Sequence, residues 1–123
     1  MKLTNVQIYN YVGAYNQAFA NFNSYLPAKA NFILQKNIAI LSAATEEIEK
    51  SRMAIAQHYG QLNEEGNRYD ISQENVEAAN KELQELFEIE QDLNIKPLSV
   101  EAFGDVEFTP IQMQAIMFMI EED

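Results

Sequence analysis

The chain contains no cysteine and only one histidine, His58. The first absence excludes a disulfide framework, thiolate zinc sites, iron–sulfur clusters and a thiol nucleophile. The second excludes a multi-histidine metal site within one chain. Glycine is also scarce: the four present are too scattered to form a P-loop or a dinucleotide fingerprint. Cations are few, eight Lys and Arg against 19 Asp and Glu. Without clustered Lys and Arg, counterion release cannot drive direct nucleic-acid binding, and anionic membrane surfaces are disfavoured for the same reason. Long apolar runs are missing too. The longest, Ala115–Ile120, is far short of the ~20 residues a membrane helix needs. Asn5, Gln7, Asn10, Asn16 and Gln17 interrupt any secretory-signal core near the start. The expectation is a soluble protein of a reducing, intracellular compartment.

What is present fits a single helical domain over residues 1–123. At 47% hydrophobic and 22% charged residues, the composition supports a packed core and excludes wholesale disorder. The net charge of −11 is unevenly spread. Residues 1–61 carry three carboxylates against five cations, whereas residues 62–123 carry sixteen against Arg68, Lys81 and Lys96. Such asymmetry bears on partners and solubility rather than on fold.

Helical spacing is the main local signal. Thr4 and Gln7 form a capping box, and Ile8, Val12, Tyr15, Phe19 and Phe22 then fall on one helical face, which predicts a helix ending near Asn23–Ser24. Pro27 suits the first turn of a second helix. In it Leu34, Leu41, Ile48 and Ile55 recur every seven residues, a rod of roughly 45 Å, with Gly60 placed as a left-handed stop. Thr45 and Arg52 interrupt the alternate row, as polar residues do when they fix register between associating helices. The turn cluster Asn63–Asn67 predicts a short hairpin within residues 61–71. Ser72 reads as the N-cap of a third helix reaching about Asp92. Residues 94–100 read as a short edge strand, since Pro97 forbids a central one. Thr109-Pro110-Ile111-Gln112 opens a last helix running to about Ile120, apolar nearly all round and rich in methionine. The predicted fold class is mainly α: four helices, one of them long and central, with a minor β element.

The run Tyr25-Leu26-Pro27-Ala28-Lys29-Ala30-Asn31-Phe32-Ile33-Leu34-Gln35-Lys36-Asn37 resembles the LPAKANF…QKN segment of a family of small uncharacterised proteins of tailed bacteriophages and prophages. Glu46–Lys50, Tyr59–Gly66 and Thr109–Ile120 match that family's later segments in the same order. The family carries a domain-of-unknown-function designation, so the resemblance brings no catalytic residues with it. It implies a phage-encoded protein acting in the cytoplasm of the infected or lysogenic bacterium, or in the virion.

No residue pattern points to catalysis, and no cofactor is expected. The serines lack a nucleophile elbow. His58, at a helix C-terminus, is placed for electrostatic rather than general-base work. The carboxylates of Glu82, Glu85, Glu88, Glu90 and Asp92 suggest a divalent-cation site, but no EF-hand loop or Glu-x-x-His pair accompanies them; a solvated helix face explains them more simply. Two binding surfaces remain. Seven of the thirteen aromatics lie in the first 32 residues, and no acid occurs before Glu46. Tyr9, Tyr11 and Tyr25 lie off the main stripe, on a neutral Tyr- and Asn-rich face of interface-like composition. Glu82, Glu85 and Glu88 would carry the competing function, an acidic nucleic-acid mimic that inhibits a host defence or nucleic-acid-handling protein. The leading expectation is a non-catalytic phage protein, virion-associated or an assembly factor. It would bind a phage structural or host protein and form a homo-oligomer or an obligate complex.

Overall fold

The computed structural model describes residues 1–121. Strand β1 (Lys2–Thr4) leads directly into helix α1 (Asn5–Ala18). A loop then enters α2 (Ala28–Tyr59), which runs straight into the hairpin β2 (Gly60–Leu62) and β3 (Tyr69–Ile71). Helix α3 (Gln73–Glu88) is followed by β4 (Glu90–Asp92). A 3-10 turn at Val100–Phe103 precedes α4 (Pro110–Ile116), which tightens into a second 3-10 turn at Met117–Met119. The fold is mainly α, with four helices, one of them long, and two small antiparallel sheets.

Local chemistry explains the starts of α1 and α4. Thr4 Oγ1 accepts from the Gln7 amide while the Gln7 side chain accepts from the Thr4 amide. Thr109 and Gln112 repeat the arrangement, with Pro110 at the first helical position. Each box satisfies two amides that a helix start leaves without partners. Leu34, Leu41 and Ile48 are buried in α2, and Ile55 is half-buried. Leu34, Leu41 and Ile48 meet Ile8 and Val12 of α1, Ile116 and Met119 of the C-terminal segment, and Leu26, Ile95, Leu98 and Phe103 from the connecting chain in one core cluster.

Several element ends differ from expectation. Helix α1 stops at Ala18, not at Asn23–Ser24. Beyond it Phe19 and Phe22 turn onto Phe108, which also meets Phe103 edge-on; aromatic packing replaces the next helical turn. Pro27 is the N-cap of α2 rather than a first-turn residue, and its carbonyl accepts from the Asn31 amide. Gly60 is extended at φ −117°, not left-handed. Glycine is needed there for close approach: a Cβ would lie 2.8 Å from the Ala56 carbonyl oxygen and 2.9 Å from that of Asp70. Ser72 caps α3 by position, but its side chain makes no capping bond. Helix α3 ends at Glu88, and the final α-helix ends at Ile116.

The largest departure concerns residues 94–100. They form no strand beyond one bridge between Leu98 and Ile120. The strand lies just before them, as β4, and pairs Lys2 with Asp92, Leu3 with Gln91 and Thr4 with Glu90. Two buried asparagines hold the chain between Leu86 and Lys96. Asn5 Nδ2 donates to the Leu86 carbonyl at 2.8 Å and Asn5 Oδ1 accepts from Gln91 Nε2 at 2.7 Å. Asn37 Nδ2 donates to the Lys96 carbonyl at 2.8 Å, and Asn37 Oδ1 accepts from the Lys96 amide at 3.0 Å. With its backbone groups taken by a side chain, Lys96 has none left for a ladder.

Candidate partner-binding faces

Thr45 and Arg52 are occupied within their own helix. Thr45 Oγ1 donates to the Leu41 carbonyl at 2.9 Å, and Arg52 grips the Glu49 carboxylate with two nitrogens. The Tyr9 hydroxyl faces that same carboxylate. Arg52 first, and Tyr9 second, hold the Glu49 carboxyl below its ordinary value, and Glu49 in turn raises Tyr9 and Arg52. Because the folded value is lowered, the contribution of this trio is present above the unfolded carboxylate value and is lost as pH falls through the folded one. An NMR titration is expected to place the Glu49 midpoint below the ordinary glutamate value. In Arg52→Gln it should move back up; an unchanged midpoint would refute the pairing.

The tyrosines expected to bind a partner are partly spent inside the chain. Tyr9 sets its ring edge-on to Phe87 at 5.9 Å. Tyr11 stacks flat on Phe118, with centroids 4.1 Å apart and planes 2° apart. Tyr25 alone of the three is largely free, 81% exposed. The three glutamates are all exposed on α3, but they do different things. Glu82 faces Tyr59 and raises its hydroxyl's pKa, while Glu88 accepts from Gln84 Nε2 at 3.1 Å. Helical spacing turns each of Glu82, Glu85 and Glu88 about 60° from the one before it, so they do not share one direction. Among the described residues, no three Asp, Glu or His side chains converge as a metal site.

His58 lies at the open mouth of a cleft of about 1230 Å³ between the end of α2 and the hairpin, which Asn63, Arg68, Asp70 and Asn75 also line. Its ring meets Tyr59 edge-on at 4.6 Å, and among the described residues it joins no salt bridge.

A different face emerges where α1 packs beside α4. The Tyr11–Phe118 stack joins them, and Gln112 Nε2 donates to the Ala18 carbonyl at 3.3 Å. Residues 3–28 and 108–120 contain no charged side chain at all. Asn10, Ala14 and Gln17 of α1, Ile111 and Gln114 of α4, and Met117 just after it are exposed. Ile111 is 67% exposed and Met117 is 55% exposed. Apolar side chains exposed among neutral amides can dock a partner. The acid-free start and the Met-rich end were both legible in the sequence; that they form one surface depends on the packing of helices some ninety residues apart. No protein family, curated protein or solved structure matches this chain.

The protein that carries these faces is mainly helical. Among the described residues, no helix is long and apolar enough to cross a membrane.

Proposed function

We propose that this chain acts without catalysis, by binding another protein, as a virion-associated or assembly factor of a tailed phage. The binding reading rests on one observation: a molecule of net charge −11 presents a charge-free, partly apolar face across α1 and α4. Interface cores are depleted of charge and enriched in methionine, and this face carries no charge and exposes Met117 and Ile111. The phage setting rests on the sequence resemblance described above.

Capture from phage-infected cells, followed by binding measurements on the recovered protein, tests the reading. Binding through α1 and α4 should survive ~0.5 M salt, because it does not depend on unscreened charge. Ile111→Asp should weaken it about tenfold or more, since a carboxylate buried in an apolar contact lacks a partner. Binding that collapses in salt and disappears in the triple variant Glu82→Lys, Glu85→Lys, Glu88→Lys, while tolerating Ile111→Asp, would instead establish the acidic inhibitor.

A further inference from the structure

Helix α2 has a second free surface, on the side away from the core. Phe32, Lys36, Ala39, Ala43, Glu46 and Lys50 follow one another at steps of four and three residues, and all six are exposed. That spacing makes one continuous seam along a helix. Phe32 is its outlier. The other six phenylalanines each pack against an aromatic ring, whereas Phe32 is 66% exposed and among the described residues has only the Lys36 ammonium, 5.9 Å from its centroid. Beside the seam, Glu47 pairs with Lys50 at 3.7 Å, and both side chains are about three-quarters exposed.

We propose that this face binds a second copy of the chain, as an antiparallel α2–α2 pair about a two-fold axis level with Leu41. The argument is charge and shape complementarity under that one operation. An isologous contact requires that if one residue meets another, the reverse also holds. With the axis level with Leu41, Lys36 comes within one residue, about 1.5 Å of rise, of the level of Glu47 of the second copy, on the same flank of the pair, and Glu47 returns the contact. Phe32 comes level with Lys50, so each exposed ring gains an ammonium. Ala39 and Ala43 meet at the centre, where their small side chains let the helices approach. From residue 29 to residue 50 the helix carries Lys29, Lys36 and Lys50 against Glu46, Glu47 and Glu49, so this stretch brings no excess of acid to the pair. The seam from Phe32 to Lys50 spans about 27 Å, a small contact, so assembly belongs in the micromolar range rather than below it.

The inference is independent of the α1 and α4 face, and its test uses different residues. Sedimentation equilibrium of the full chain at low salt should show a dimer between roughly 10 and 500 µM, weakened as salt is raised. Lys36→Glu alone and Glu47→Lys alone should each weaken it about tenfold or more, because two like-charge contacts replace two attractive ones. The double variant Lys36→Glu with Glu47→Lys should restore it, and an equimolar mixture of the two single variants should form a mixed dimer. Phe32→Ala should weaken it without affecting the swap. All these positions are exposed, so thermal melts provide the folding control. A monomer throughout the concentration range, a dimer indifferent to the single swaps, or a double variant no better than the singles would each overturn the proposal. Ile111→Asp should leave the dimer intact, so loss of partner binding and loss of self-association are read separately.

Discussion

Asn37→Leu is expected to destabilise the protein by about 3–5 kcal/mol. Asn37 is 1% exposed in the middle of the core face of α2. Its amide supplies both a donor and an acceptor to the backbone of Lys96, and Nδ2 also lies 3.6 Å from Met119 Sδ. Leucine fills nearly the same volume but leaves the Lys96 amide and carbonyl without partners. Each buried polar group left unsatisfied costs roughly 1–3 kcal/mol. Asn37→Asp should be no rescue, because it removes the donor and buries a charge. Chemical denaturation measures the effect. A loss under about 1 kcal/mol would mean that water reaches Lys96 once the amide is gone.

Leu41→Ala and Ile48→Ala should each cost about 2–5 kcal/mol, the range for truncating a buried aliphatic side chain in a close-packed core. Leu41 is fully buried and Ile48 nearly so, and both belong to the main core cluster. Ile55, the next residue in the same heptad row, gives an internal control. It is half-buried and lies outside that cluster, so Ile55→Ala should cost clearly less than either. Equal losses at all three positions in denaturant melts would mean that the core runs the whole length of α2.

The parts of this fold legible from sequence are those determined within a few residues. Both capping boxes follow from a threonine and a glutamine three positions apart, and the buried row of α2 follows from a seven-residue repeat. The hairpin follows from Asn63–Asn67, where Asn63 Oδ1 accepts from the Asn67 amide at 3.0 Å. What was not legible depends on partners distant in the chain. Lys2-Leu3-Thr4 and Glu90-Gln91-Asp92 are three-residue strands, too short for a period to register and the second wholly polar, and each is a strand only because the other is beside it. Asn5 and Asn37 read as ordinary polar positions until the segment from Leu86 to Lys96 arrives to use them. The end of α1 departs from the helical period for a related reason: Phe19 and Phe22 continue the period, but Phe108 takes their rings. For the candidate faces, composition identified the two uncharged stretches, and only tertiary packing joins them.

The unequal anchoring of α2 has a consequence for how the molecule comes apart. Every buried residue of this helix lies between Ala30 and Ile48, and α3 buries only Ala79, outside the main cluster. The last three turns of α2, the hairpin and the first half of α3 thus form a lever held mainly by its base. Such a segment opens at a free energy below that of the whole. The two populations of tyrosine report on the two parts: Tyr11 and Tyr15 lie against the core, Tyr59 and Tyr69 out on the lever. Unfolding followed through one pair is therefore not a measure of unfolding at the other, and a single midpoint for this chain describes whichever pair was watched.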